Sequence, residues 1–564
     1  MDRRDERLST RPGGRGQRLA LAGAAALPLA FLVVFFAVPV GGMLRLGFWP
    51  QGGSQLWPDL GGFADVLGRS RTQRVIGFTF GMAAAATALT VLLGVPAAYV
   101  LHRLAVPGRA VLRAVVTLPF VLPTVVVGVM FRSLLADGGP LGGLGLDGSP
   151  VAILAAFVFF NTAVVVRTVG VSWEALDHRA EQAAAALGAS PATVFRTVTL
   201  PALAPAVWSA ASVVFLFCST AFGVVLVLGG LRYGTVETEI YLLTTTLLDL
   251  RGAAVLSVLQ FVAVVAMLAL TAAIQRRATP GTRRPGGAAA ALPVTRAAIP
   301  ALAATAVVLA LVVVPVGSLV LASLRRDGQW TLANYSALAG VSRASGLVEP
   351  VWAAVGTSLR VAVDATLLAV TLGLLVAVVV SRRARSASGA GVLRVLDAAF
   401  MVPLGISAVT VGFGFLVTLD RPPLDLRSSP ILVPIAQAMV ALPLVVRTLA
   451  PVLRGIDDRQ RQAAATLGAS PWRALLAVDL PAIRRPLLAA TGFALAVSLG
   501  EFGATSFLIR PDRQTLPVVV YQLIGRPGAE NFGTGLAAAV VLAVLTSTAM
   551  AIVERLRVDS VGAF

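Results

Sequence analysis

The sequence predicts an all-α, polytopic membrane protein of about twelve transmembrane helices, built as two tandem parallel six-helix repeats. Three observations predict it. Of 564 residues, 57% are hydrophobic and 13% charged, and mean hydropathy is +0.85, too apolar for a soluble chain. The apolar residues collect in twelve runs, at 19–43, 75–101, 111–135, 150–170, 202–230, 252–274, 297–323, 352–380, 395–419, 430–451, 486–509 and 533–553; each approaches the roughly 20 residues that cross a bilayer as a helix. Finally, QAAAALGASPATVFRTVTLP at 182–201 returns as QAAATLGASPWRALLAVDLP at 462–481, twelve of twenty residues identical, at an offset of 280. The same offset pairs Arg167-Thr168 with Arg447-Thr448, Phe222-Gly223 with Phe502-Gly503, Thr235 with Thr515 and Tyr241 with Tyr521.

Each run is read as a helix because backbone polar groups facing lipid must be satisfied within their own segment. Barrel strands would be alternating segments of about ten residues, and these runs are longer and continuous. The first run follows an arginine-rich head, 1–18, but is too long for the 7–15-residue core of a cleaved signal, so it is expected to stay as a span. Arginines favour the chain ends and even-numbered loops about two to one, which places both termini in the cytoplasm. The first repeat is expected over 19–274 and the second over 297–553, joined by a Pro-, Gly-, Ala- and Arg-rich cytoplasmic linker at 275–296 and followed by a tail at 554–564. Six spans per half return the second copy in the same orientation, so the repeats are parallel. No outer loop is long enough for a sizeable domain, so capture of a dilute solute would fall to a separate protein.

Composition also excludes chemistry. All 46 basic residues are arginine, so no P-loop lysine, Schiff-base lysine or lysine base exists here. The single cysteine, Cys218, lies in an apolar run and permits neither an internal disulfide nor a cysteine metal cluster, and the two histidines, His102 and His178, are far apart in sequence. The net charge of +19 sits in short arginine clusters between spans, where bilayer orientation explains it better than nucleic-acid binding. No cofactor is expected, and the chain's permanent environment is the lipid bilayer.

The repeated segment is a polar interruption between the fourth and fifth spans of each half. Glu174 to Leu187 is rich in helix formers and ends at Gly188, a natural C-cap; Ser190-Pro191 supplies an N-cap and a proline at the first helical position. The second helix is expected to run to Leu200 and stop at Pro201. Gly468, Ser470, Pro471, Leu480 and Pro481 repeat the design. Small side chains around Ala183, Ala184, Ala463 and Ala464 leave a surface that another backbone can approach closely. Composition bias alone would not hold glycine, serine and both prolines at one offset.

These two segments resemble the EAA loop of ABC importer permeases, whose pattern is E-A-A, three residues, Gly, nine residues, an aliphatic residue, any residue, Leu-Pro. Ala183-Ala184, Gly188, Val198 and Leu200-Pro201 match it, as do Ala463-Ala464, Gly468, Val478 and Leu480-Pro481. The glutamate position is held by Gln182 and Gln462; Glu181 precedes the first and Arg461 the second. The resemblance implies that each loop is a coupling helix seated in a groove of a cytoplasmic ATPase. It further implies two copies of that ATPase, one extracytoplasmic solute-binding protein, and alternating access in the plasma membrane. Two permease halves in one chain are similar to the thiamine and ferric-iron importer permeases. The stretches 215–241 and 498–525 lean toward the thiamine type, with ferric iron as the second expectation.

Few ionisable residues interrupt the spans, so each is a pathway candidate. Glu501, flanked by Gly500 and Gly503, reads either as a cation-attracting or gating group or as a carboxylate satisfied by a neighbouring helix. Glu237 and Glu239 are expected in the outer loop before the sixth span, as a rim for a delivered cation or as a solvated pair. Asn161 either lines the pathway or makes an interhelical hydrogen bond. Tyr241 and Tyr521 either close the outer gate or anchor at the interface. Arg167 and Arg447, read as ending the fourth and tenth spans, either obey the positive-inside rule or orient the loops. The rival class is an ion-gradient-coupled secondary transporter with two parallel six-helix halves, which has no use for a repeated polar hairpin; a membrane enzyme lacks any nucleophile with a base beside it.

Overall fold

The computed structural model describes residues 13–50, 57–177, 179–230, 232–277, 292–341, 346–382, 387–420 and 425–556. Among these, helix dominates, and the paired strands are a two-residue hairpin, Arg325–Arg326 against Gln329–Trp330. Among the described residues, ten helices are long and apolar enough to span a membrane: Gly23–Phe48, Ser70–Arg103, Pro150–Glu174, Pro191–Ser219, Leu250–Thr271, Arg296–Ser323, Val351–Val380, Leu432–Gly455, Leu475–Gly500 and Ala529–Val553.

The third expected span is not one helix. Arg109–Val121 and Thr124–Leu135 meet at 107°. Pro119 and Pro123 remove two backbone donors there, and Leu122, ahead of Pro123, is driven to an extended ψ of 137°. The ninth expected span breaks in the same way, into Ala387–Met401, a tight turn containing Pro403, and Ala408–Thr418. The fifth and eleventh also end early, at Ser219 and Gly500, and the chain resumes in the short helices Gly223–Leu228 and Thr505–Leu508. At the chain ends the helices reach further than expected. The first begins at Gly13 and the last runs to Leu556; the rest of both tails lies outside the described residues. So does most of the expected linker. Helix continues to Arg277, and the chain is described again from Leu292, whose backbone bonds Arg103 O and Ala105 N, both at 2.8 Å.

The halves pack as copies of each other. Ser70–Arg103 lies along Pro150–Glu174 and Leu200–Ser219, as Val351–Val380 lies along Leu432–Gly455 and Leu480–Gly500. Both contacts rest on a missing side chain: a Cβ on Gly94 would fall 2.8 Å from Val165, and one on Gly373 would fall 2.7 Å from Val445. The first helix of each half crosses over. Ile299–Ser323 packs on Ser70–Arg103 of the first half, and Gly13–Leu32 packs on Val351–Val380 of the second. This exchange binds the two repeats into one bundle around a core whose fully buried aromatics include Phe131, Phe159, Phe413, Phe415 and Phe502.

Candidate coupling loops and solute pathway

Both hairpins form from their own turn residues. Gly188 has φ +87° and Gly468 φ +80°, a region that disfavours any residue with a Cβ, although neither site is crowded. The N–H groups of Gly188 and Ala189 close on Ala185 O and Ala184 O at 2.9 and 3.1 Å; Gly468 and Ala469 close on Ala465 O and Ala464 O, both at 3.0 Å. Ser190 then caps the next helix by accepting from Thr193 N at 3.2 Å, and Ser470 from Arg473 N at 3.3 Å, with Pro191 and Pro471 at the first helical positions. The first arm is shorter than expected, Arg179–Ala186, because Pro150–Glu174 ends before a break at Ala175–Asp177. Gln182, Ala183, Gln462 and Ala463 are exposed, whereas Ala184 and Ala464 are half-buried. At the tips, Leu187 is 90% exposed and Leu467 88%. Sequence reasoning missed these two leucines because the motif marks the turn and says nothing of which apolar side chain the turn ejects.

Pro201 does not stop the helix, and neither does Pro481. Phe195–Thr199 and Leu475–Asp479 are π-helical turns, in which Leu200 N bonds Phe195 O and Leu480 N bonds Leu475 O. The wider turn absorbs the donor that each proline lacks and relieves its clash with the preceding turn. The second helix of each hairpin is therefore continuous with a transmembrane helix, as the rods Pro191–Ser219 and Pro471–Gly500. Arg167 and Arg447 lie about two turns before the ends of Pro150–Glu174 and Leu432–Gly455 rather than at them, Arg167 half-buried and Arg447 exposed.

The residue before each glutamine ties its hairpin to its rod. Glu181 accepts from Thr199 Oγ1 at 2.7 Å, with Arg103 Nη2 3.7 Å away. In the second half Arg461 Nε donates to Asp479 Oδ1 at 2.8 Å, and Arg382 Nη2 donates to Asp479 Oδ2 at 2.7 Å. The positions match at the 280 offset, but acid and partner have changed places.

The rods lead to the centre of the bundle. Just past their ends, Phe222 and Phe502 stack with ring centroids 5.4 Å apart and planes at 22°. Tyr241 meets Phe222 at 5.4 Å and Phe507 at 5.3 Å, and Tyr521 meets Phe502 at 5.5 Å. These five rings are contributed by both halves. Tyr241 and Tyr521 thus sit in a packed aromatic layer.

The acidic residues fall differently from their expected places. Glu501 follows the end of Leu480–Gly500, and both its oxygens are occupied by its own chain: Ala504 N donates to Oε1 at 2.7 Å, Thr505 N to Oε2 at 3.0 Å, and Thr505 Oγ1 also to Oε2. Its 280-offset counterpart is Ala221, so the first half has no such cap. Glu237 and Glu239 are not in a solvated loop. They lie in the first turn of the apolar helix Val236–Thr245, at 0% and 4% exposure. A helix begins there because Thr235 caps it in a capping box and Thr79 Oγ1 accepts from Val236 N at 2.9 Å. Glu239 is held by Arg71 through Nε at 2.6 Å and Nη2 at 2.9 Å. Glu237 Oε2 accepts from Ser407 Oγ of the other half at 2.8 Å, while Oε1 has no partner among the described residues. Asn161 is buried and donates to Phe157 O at 2.9 Å and to Cys218 Sγ on the first rod at 3.3 Å, the interhelical bond.

The model of the binding-protein-dependent transport system inner membrane component family matches residues 90–284 and again 369–558. The chain belongs to this family. It is a fused two-half permease, the membrane subunit of an ABC importer, a multi-pass inner-membrane protein that works with an ATPase and a solute-binding protein. The family membership sets aside the secondary-carrier alternative. Relatives of this permease include thiamine transport system permease proteins ThiP of Brucella abortus (28% identical over 569 residues, 97% of this chain and 98% of theirs) and Escherichia coli (29% over 495 residues, 86% and 88%). A solved bacterial ABC transporter involved in import of the acidic polysaccharide alginate overlays 47% of this permease and 97% of its own chain, at 16% identity and a TM-score of 0.39.

Proposed function

We propose that this permease moves thiamine, or a closely related organic cation, from a docked binding protein to the cytoplasm by alternating access, driven by two copies of the ATPase, one on each hairpin. Both chain termini would lie on the ATPase side. The observation that carries the reading is the pair of continuous rods: each starts just after a hairpin turn that exposes a leucine and ends just before its half of the Phe222–Phe502 stack. Closure of the ATPase pair on ATP draws Leu187 and Leu467 together, the rods pivot, and the stacked rings part. Hydrolysis lets them return. A displacement at the tip reaches the rings because a packed helix moves as a unit rather than deforming locally. The tips and the grooves that receive them would bury about 1.5–3 kcal/mol per leucine side chain.

The substrate assignment is supported by relatives named for thiamine transport that align over nearly the whole chain. The topology is supported by arginine placement and by the ends of Ser70–Arg103 and Val351–Val380, which lie beside the hairpins through Arg103 and Arg382. The test is reconstitution of the permease with its ATPase and binding protein in vesicles. ATP-dependent thiamine uptake is expected. ATP hydrolysis without thiamine uptake would reassign the solute, and uptake driven by a proton or sodium gradient without the ATPase would overturn the mechanism.

A further inference from the structure

The seam between the halves holds an arrangement that the coupling machinery does not use. Glu237 is fully buried, with Oε2 bonded to Ser407 Oγ and Oε1 unpartnered. Gln260, 2% exposed, lies within hydrogen-bonding reach of that carboxyl, but its Nε2 is aligned on Ser219 O at 3.0 Å, so that Glu237 Oε1 has no well-aligned donor and Gln260 Oε1 is also unpartnered. Two neighbouring buried acceptors without donors are costly, and native structures keep such pairs sparingly. What would satisfy them is specific: a group with N–H donors and positive charge. Aromatic faces adjoin the pair. Tyr241 is one turn along the same helix from Glu237 and packs on Phe222, three residues beyond the Ser219 carbonyl that Gln260 holds. Carboxylate, amide oxygen and ring faces together suit a small amino-substituted aromatic cation.

We propose that Glu237 and Gln260 form a recognition site, at the seam between the halves, for the N–H-bearing cationic solute in transit. The proposal rests on the assignment of this permease as a thiamine importer and adds where the chain itself contacts the solute. Ser407 belongs to the other half, beside Ala408, whose Cβ leaves no space for a side chain on Gly503. In the closed arrangement its hydroxyl serves as the stand-in donor to Glu237. When the halves separate, that bond is lost and both acceptors face the opened pathway, where the solute's donors replace it. The site is thus satisfied only in part when closed and fully when loaded, which favours release of the seam in the presence of solute.

The experiment measures the KM for thiamine uptake by the complete importer, with ATPase and binding protein, in vesicles. Because every variant is fed by the same binding protein, differences in KM arise in the permease. Glu237→Gln retains shape and should raise KM about tenfold or more, the factor carried by one lost hydrogen bond to a charged group. Ser407→Ala removes only the closed-state donor and should not raise it. A Glu237→Gln importer with a KM within twofold of the parent overturns the proposal. So does an equal rise in both variants, which would make Glu237 an inter-half tie. If Glu237→Gln does not assemble with the ATPase, Glu237→Asp, which keeps the charge and displaces it, is read by the same two criteria. Absence of thiamine uptake by the parent importer identifies a failure of the substrate assignment instead.

Discussion

Arg461 and Asp479 are joined at 2.8 Å across the second hairpin, and the matching residues of the first, Glu181 and Thr199, are joined at 2.7 Å with the acid on the opposite partner. The geometry of the tie is kept while its chemistry is transposed. A carboxylate beside each hairpin is thus retained although the motif's glutamate is replaced by Gln182 and Gln462, and in each half an arginine at the end of a neighbouring span, Arg103 or Arg382, approaches it.

Asp479 is 1% exposed and accepts from two arginines. Asp479→Asn should weaken the second hairpin by about 1–3 kcal/mol, the cost of a lost charged hydrogen bond, and reduce ATPase association. Glu181→Arg with Thr199→Asp rebuilds the second half's chemistry in the first. That double variant should associate with the ATPase far better than Glu181→Arg alone, measured by copurification.

Gly188 and Gly468 hold left-handed backbone that costs about 1–2 kcal/mol for a residue with a Cβ. Replacing both with aspartate should leave membrane insertion intact while abolishing ATPase association and transport. Normal copurification would remove the hairpins from the coupling interface.

Leu187 and Leu467 are ordinary surface leucines unless a partner covers them. Leu187→Ala with Leu467→Ala should reduce the affinity for each ATPase copy by about tenfold or more, from the loss of one apolar burial at each hairpin, with no change in thermal stability of the isolated permease. A titration of ATPase against the purified permease reads both.

Pro201 and Pro481 follow the π turns. With Pro201→Ala and Pro481→Ala each turn is free to tighten to an α-helix, which rotates the hairpin end of the rod against its transmembrane part. Hydrolysis should persist and uptake per ATP should fall, measured in the same vesicles.

At the opposite end of the bundle from the hairpins, Asp59 is held below the usual carboxylate range first by the Gly62 N–H and then by Arg251, 2.6 Å away. Asp249 is also held low; burial pushes it up, but Arg69 at 2.7 Å and the Gly252 N–H outweigh this. Depressed folded-state values mean stability that is present above the ordinary carboxylate pKa of about 4 and lost as pH falls through the folded value. Asp59→Asn should therefore lower the melting temperature at pH 7 and leave it unchanged near pH 2, measured on solubilised permease.

The hairpins were legible in the sequence because a C-cap glycine, an N-cap serine and a proline at the first helical position act on backbone groups a few residues away. The spans were legible for the same reason, since a helix satisfies itself and lipid demands apolar side chains. Where prolines crowd, as at Pro119 and Pro123, the break could have been read from the same local rules. Glu501 shows the limit: its flanking glycines drew attention to it, yet its acceptors are satisfied by residues three and four positions on.

The chain by itself determined a duplicated membrane bundle with two matching polar hairpins, since repeat offset, apolar run length and turn residues are all properties of neighbouring positions. Only the tertiary structure decided that Pro201 and Pro481 sit inside continuous rods, that Phe222 stacks on Phe502, and that Glu237 is buried rather than solvated. Glu237 meets a serine 170 positions away. Which polar groups end up partnered, and which are left waiting, depends on segments that only folding brings together.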